Sequence, residues 1–143
     1  PSAVTRLIDI GVKPFLVASS ARALMAQRLV RKVCPRCPVA TEPTATEAMA
    51  YEQEMQAAAP EFMVGQGCNF CNGSGYSGRT GVYEVIAVDE SIRKLIASGA
   101  SGPEIRAQAL LNGMIPMRRA GMLKAKEGST TLSEVFRGVF SID

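Results

Sequence analysis

All four cysteines of the chain fall in two Cys-x-x-Cys pairs, Cys34-Pro35-Arg36-Cys37 and Cys68-Asn69-Phe70-Cys71. Two such knuckles deliver four soft thiolates to a tetrahedral ion, and zinc is the metal that this donor set suits best. Iron is chemically admissible at an all-sulfur site. Two disulfides are the competing use of four cysteines, but the paired spacing favours metal. With Cys34, Cys37, Cys68 and Cys71 filling every position, no place is left for water or substrate, so the expected Zn2+ is structural. The second pair runs into Asn72-Gly73-Ser74-Gly75, a glycine-rich turn able to point backbone N–H groups at sulfur.

Other chemistry is missing. There is no histidine, which removes the imidazole base and any Ser-His or Cys-His nucleophile. Gly65-Gln66-Gly67 and Gly73-Ser74-Gly75 are too short for a P-loop and lack its lysine. Glu84 and Asp89 read as a strand residue and a helix cap, not as a catalytic pair. The expectation is therefore no catalytic residue in the chain itself.

The formal charge of +3 hides an uneven distribution. Residues 1–37 carry seven Lys/Arg against Asp9, a balance of +6, whereas residues 38–62 carry five glutamates and no base, a balance of −5. Such a split is poor ground for nucleic-acid binding, which rests on a concentrated basic field. Arg31, Lys32 and Arg36 are expected to offset the anionic thiolate cluster. The acidic stretch with Glu47, Glu52 and Glu54 is expected to form a lobe facing a partner. No run of residues is long and apolar enough to span a membrane, and no signal peptide is apparent. A cytoplasmic location, where thiolates stay reduced, is the corresponding expectation.

The elements that must position the cysteines follow from periodicity. Ala3, Leu7 and Ile10, with Val4 and Ile8 beside them, repeat at helical spacing and Gly11 is a stop; a chain opening within an element suggests a piece of a longer protein. Pro14 starts a second helix whose apolar surface runs through Phe15, Leu16, Ala18, Ala21, Ala23, Leu24 and Met25. Gln27 to Val33 reads as a short strand or as a continuation of the helix; as a strand it can pair with Thr80 to Val88, bringing the two cysteine pairs together. Between the pairs, Thr46 or Thr44 can cap a helix through Tyr51 to Ala58, Thr44 and Glu47 standing at capping-box spacing. Asp89, Ser101 with Glu104, and Thr131 with Glu134 announce helices over 90–98, 102–112 and 132–139, with another at 116–126. Leu95, Ile96, Ile105, Leu110, Leu111, Met117, Leu123, Leu132, Val135 and Phe136 are the expected core of that region.

A resemblance covers nearly the whole chain. Thr5 to Leu16, Ala26-Gln27-Arg28-Leu29-Val30-Arg31-Lys32-Val33 leading into Cys34-Pro35-Arg36-Cys37, Gly67 to Tyr76, Gly78-Arg79-Thr80-Gly81-Val82-Tyr83-Glu84, and the tail Gly128-Ser129-Thr130-Thr131-Leu132-Ser133-Glu134-Val135 resemble the C-terminal part of the type II secretion and type IV pilus assembly ATPases. The resemblance implies an α+β fragment: the C-terminal end of a RecA-like α/β domain, a four-cysteine zinc insertion and a small C-terminal helical region. By it, residues 1–33 end the RecA-like domain, 34–78 form the zinc subdomain, 79–88 are a returning strand and 89–143 are helical. It implies a parent that is a cytoplasmic homo-hexamer at the inner membrane, hydrolysing ATP with Mg2+ and acting with a platform protein and secretion or pilus assembly proteins, without nucleic acid. Gln27 and Arg28 match a segment that approaches the nucleotide in the family. From the residues alone, a zinc-dependent protein-binding module and a zinc-ribbon nucleic-acid binder remain the alternatives.

Overall fold

The computed structural model describes residues 1–140. Its elements are α1 (Ser2–Asp9), α2 (Pro14–Ser20), β1 (Ala23–Val33), β2 (Pro38–Thr41), α3 (Ala45–Met55), β3 (Phe62–Gly65), a 3-10 turn (Asn69–Cys71), β4 (Tyr76–Ala87), α4 (Glu90–Ala97), α5 (Gly102–Leu111), α6 (Met117–Lys126), α7 (Leu132–Val135) and a closing π-helical turn (Phe136–Phe140). This is a mixed α/β structure that opens with two helices and closes, after β4, with a helical region. β1 pairs with β4, and β2 pairs with β3 antiparallel, Pro38 opposite Gly65 and Thr41 opposite Phe62. The chain divides into two compact units, Pro1–Ala26 with Glu84–Pro116, and Gln27–Tyr83 with the chain from Met117 onward.

The first unit packs α1, α2, α4 and α5 on the ends of β1 and β4 that belong to it. Its core includes Val4, Val17, Ile86, Ile92, Ile96 and Ile105. Fully burying an isoleucine contributes about 1.5–3 kcal/mol, so the three isoleucines of α4 and α5 dominate this core. Of the expected apolar residues, α1 turns Val4 and Ile8 inward and leaves Leu7 exposed, with Ile10 exposed just beyond its end. α2 stops at Ser20 and does not continue through Met25. Ala21 is already extended, Arg22 O accepts from Val88 N at 3.0 Å, and Ala23, Leu24 and Met25 join β1. The strand ladder overrides the local helical pattern.

Asp89 caps α4 by accepting from Ile92 N at 3.0 Å, and Ser101 with Glu104 forms the expected capping box of α5. Leu110 and Leu111, expected in the core, are exposed, Leu111 by 82%. α5 buries Ile105 and Ala109, one helical turn apart, and six residues from Ile105 the helix has rotated Leu111 to the far side.

The second unit buries Val30, Tyr51, Phe62, Val82, Met122 and Val135. β2, α3 and β3 form the lobe between the cysteine pairs. Thr44 and Glu47 exchange both capping-box bonds, and the helix ends at Gln56 in the left-handed region, short of Ala58. Tyr51 meets Phe62 edge-on at 5.2 Å, fixing α3 against β3. Gly121 of α6 leaves no room for a Cβ, which would lie 2.6 Å from Val135 Cγ1. The last predicted helix is split, with α-helical hydrogen bonding over Leu132–Val135 and a π-turn beyond it.

Candidate functional site

The four thiols converge. Their Sγ atoms all lie within 4.8 Å of one another, with Cys34–Cys68 and Cys37–Cys71 at 3.9 Å and Cys68–Cys71 at 3.7 Å. A tetrahedron with zinc–sulfur bonds of about 2.3 Å has edges of about 3.8 Å. A disulfide requires about 2.05 Å between sulfurs. The cysteines are unpaired by disulfides, and the donor set fits a tetrahedral soft cation.

Backbone geometry holds this arrangement. β1 ends at Val33 and β4 begins at Tyr76, placing the two knuckles side by side, and Cys34 N donates to Gly75 O at 2.9 Å. Cys71 Sγ accepts from Cys68 N at 3.2 Å and from Gly75 N at 3.3 Å. Ser74 Oγ ties the turn by donating to Cys71 O at 2.6 Å. Gly73 and Gly75 both have positive φ, and a side chain on either Gly65 or Gly75 would overlap the other's carbonyl where the β3 end crosses the turn. The glycines expected to wrap the metal do so because two backbones touch there.

The thiols differ in acidity. Burial pushes Cys71 upward, but the N–H groups of Cys68 and Gly75 outweigh it and bring it down to about 6. Burial, joined by the neighbouring thiols and opposed by the Gly67 N–H, pushes Cys37 up to about 12. A bound divalent ion favours the thiolate form of its cysteine ligands. Every donor is sulfur, so the cluster suits a closed, structural site and leaves no position for bound substrate.

The basic residues are used differently from the expectation. Arg31 does not serve the thiolates. Its Nη2 reaches Glu134 Oε1 at 2.7 Å, its backbone N donates to Glu134 Oε2 at 2.9 Å, and its guanidinium covers the Tyr76 ring at 4.0 Å. Arg36 lies over Phe70 at 4.4 Å, joining the tips of the two knuckles. The sequence spacing makes Glu134 the second half of a capping box with Thr131. Its backbone N does donate to Thr131 Oγ1 at 3.2 Å, but its carboxylate turns to Arg31 and Arg137. Local pattern could not show this, because the partner is about a hundred residues away in sequence.

Glu84 accepts from Arg106 at 3.2 Å, and Asp89 caps α4. Gln27 and Arg28 lie exposed on β1, where Gln27 Nε2 donates to Tyr83 Oη at 3.2 Å. Neither is brought to the thiols by a hydrogen bond. Among the described residues, no helix is long and apolar enough to cross a membrane.

Comparison with known proteins places these features in a family. The model of the type II/IV secretion system proteins matches residues 1–137. The type IV pilus assembly ATPase TfpB of Acinetobacter baylyi is 40% identical over 140 residues, covering 97% of this chain and 24% of that protein. The type II secretion system protein E of Aeromonas hydrophila is 43% identical over 138 residues, covering 94% and 26%. The type II secretion system protein HxcR of Pseudomonas aeruginosa is 42% identical over 136 residues, covering 95% and 25%. The chain spans about a quarter of the length of these relatives. With its four-cysteine cluster inside a match that runs almost end to end, the chain belongs to the type II secretion and type IV pilus ATPase family.

Proposed function

We propose that this chain is the C-terminal part of a cytoplasmic, hexameric ATPase that powers type II secretion or type IV pilus assembly from the inner-membrane face. The observation that supports it best is the match over residues 1–137 with the four thiols in metal-binding geometry. In this reading Cys34, Cys37, Cys68 and Cys71 hold a structural zinc that locks the β2–α3–β3 lobe to the paired strands. Residues 1–33 and 79–88 belong to the end of a RecA-like domain, 34–78 to the zinc subdomain and 89–143 to the helical region. ATP and Mg2+ bind elsewhere in the parent, with Gln27 and Arg28 approaching the nucleotide from β1. Partners are further copies of the same protein, an inner-membrane platform protein and the secretion or pilus assembly components, with no nucleic acid.

Phosphoryl transfer needs donors around the phosphates, a Mg2+ ligand and an oriented water. The chain holds no such set in its sequence, and its role here is to scaffold. A phosphate-release assay tests this division. The full-length protein turns over ATP and the zinc-loaded 143-residue chain does not; turnover by the chain at the parental rate, or none by the parent, overturns the proposal.

A further inference from the structure

Two of the three asparagines precede glycine, Asn72-Gly73 in the second thiol knuckle and Asn112-Gly113 at the end of α5. A glycine nitrogen has no Cβ beside it to shield it, so it can attack the side-chain carbonyl of the residue before. Both pairs are exposed, yet they are held differently.

In the first unit Asn112 is gripped through its side chain. Its Nδ2 donates to Asp89 Oδ2 at 2.7 Å and to Ser91 Oγ at 2.9 Å, and its Oδ1 accepts from Gln108 Nε2 at 2.8 Å. In the second unit the Asn72 side chain makes no hydrogen bond with any described residue. Backbone alone holds this pair: Asn72 is left-handed (φ 50°, ψ 44°) at the end of the 3-10 turn, and Gly73 N donates to Cys68 O at 3.0 Å. A Cβ on Gly73 would meet nothing within 4 Å, so its nitrogen is uncrowded once that bond opens. A 3-10 turn of three residues has little stability of its own. A metal joining Cys68 to Cys71 clamps both its ends, and Gly75 N adds a bond to Cys71 Sγ at 3.3 Å.

We infer that Asn72 is a metal-gated deamidation site, closed while the four thiolates hold their ion and opened by its loss. With the turn released, the Asn72–Gly73 peptide rotates away from Cys68 O. Gly73 N gives its proton to solvent base and bonds to Asn72 Cγ; the Cγ–Nδ2 bond breaks, and ammonia leaves with a proton from water. Water then opens the five-membered imide. Addition at Cγ gives aspartate at position 72, and addition at the backbone carbonyl gives an isoaspartyl link; nothing is oxidised or reduced. Each product sets a new carboxylate beside the anionic thiolate cluster. The isoaspartyl link also lengthens the backbone by one carbon between Cys71 and Gly75, whose N–H and carbonyl bond Cys71 Sγ and Cys34 N. The turn then no longer fits its ion, and metal loss becomes permanent. The inference rests on the metal site and not on the ATPase reading.

The test incubates the zinc-loaded 143-residue chain beside the same chain stripped by a chelator under reductant, at mildly alkaline pH. Peptide mass spectrometry with isoaspartyl methylation reads conversion at each asparagine. Conversion at Asn72 is expected to be at least about tenfold faster without metal, as the cost of opening the turn falls, and in the stripped chain Asn112 converts more slowly than Asn72. Given zinc again after ageing, the stripped chain rebinds it only in its unconverted fraction. Asn72→Gly, which keeps the left-handed turn and has no amide to lose, rebinds it fully. A chain that takes up no zinc overturns the metal site and the gate with it. Zinc bound but equal Asn72 rates in both forms, equal rates at Asn72 and Asn112 in the stripped chain, or full rebinding by the converted chain overturns the gate alone.

Discussion

Glu134→Gln tests how much of the second unit depends on one buried carboxylate. The substitution keeps volume and backbone, so the Thr131 cap survives. It replaces one acceptor oxygen by an NH2 that faces the donors Arg31 N, Arg31 Nη2 or Arg137 Nη2. Glu134 is 3% exposed, while Arg31 and Arg137 are 43% and 65% exposed. Burial pushes the Glu134 carboxyl upward, but hydrogen bonds from the Arg31 side chain and backbone, then from Arg137, bring it from its usual 4.5 down to about 2. That difference corresponds to at most about 3 kcal/mol at neutral pH. Solvent around the two arginines reduces it to about 2 kcal/mol. Because the folded state holds the carboxyl below its unfolded value, the contribution is fully present above about pH 4.5 and disappears as pH falls toward 2. Urea unfolding of the parent and of Glu134→Gln at pH 7 reads the gap, and repeating it at falling pH reads its loss. Metal release in acid affects both proteins, so only their difference is compared. A cycle with Arg31→Met isolates the pair, with a coupling of about 1–2 kcal/mol expected. A gap under about 0.5 kcal/mol at pH 7, or one that does not shrink in acid, would refute the assigned role of Glu134.

Two further outcomes follow from the thiol cluster. Metal analysis is expected to find one zinc per chain, and Cys34→Ser or Cys71→Ser to lose it with several kcal/mol of stability, because ligand loss removes folding free energy along with affinity; protein without bound metal, or disulfide-linked cysteines by mass, contradicts this. Gly65→Ala and Gly75→Ala are each expected to cost more than about 2 kcal/mol and to lower metal retention, since the added methyl meets backbone that cannot yield. Gly78→Ala, also at positive φ but with open space around it, is the control and costs about 1 kcal/mol; equal losses at all three positions would remove the crossing as the explanation.

Much of this protein was settled locally. The thiol spacing announced the cluster before any fold was known, because a two-residue knuckle is itself the chelating unit. Thr44–Glu47, Asp89 and Ser101–Glu104 capped the helices they predicted, since a cap is closed by atoms three residues apart. Val82 and Ile86 of β4, with Val88 just beyond it, are buried. The absent histidine and P-loop likewise stood in the composition.

What depended on distant partners was not legible. Ala23, Leu24 and Met25 continue a helical pattern, yet the ladder with β4 takes them into β1. Leu111 has the composition of a core residue and an exposed position, because only packing selects which face of α5 is covered. Arg31 sits three residues from a thiolate in sequence, and local charge alone assigned it to the metal. The tertiary fold instead brings it Glu134 and Tyr76, and a desolvated carboxylate at 2.7 Å outcompetes a nearby cluster for a guanidinium. Sequence determined which atoms can bind and where the chain turns; the tertiary structure decided which charge answers which, because Coulomb attraction follows distance in space and burial sets its strength.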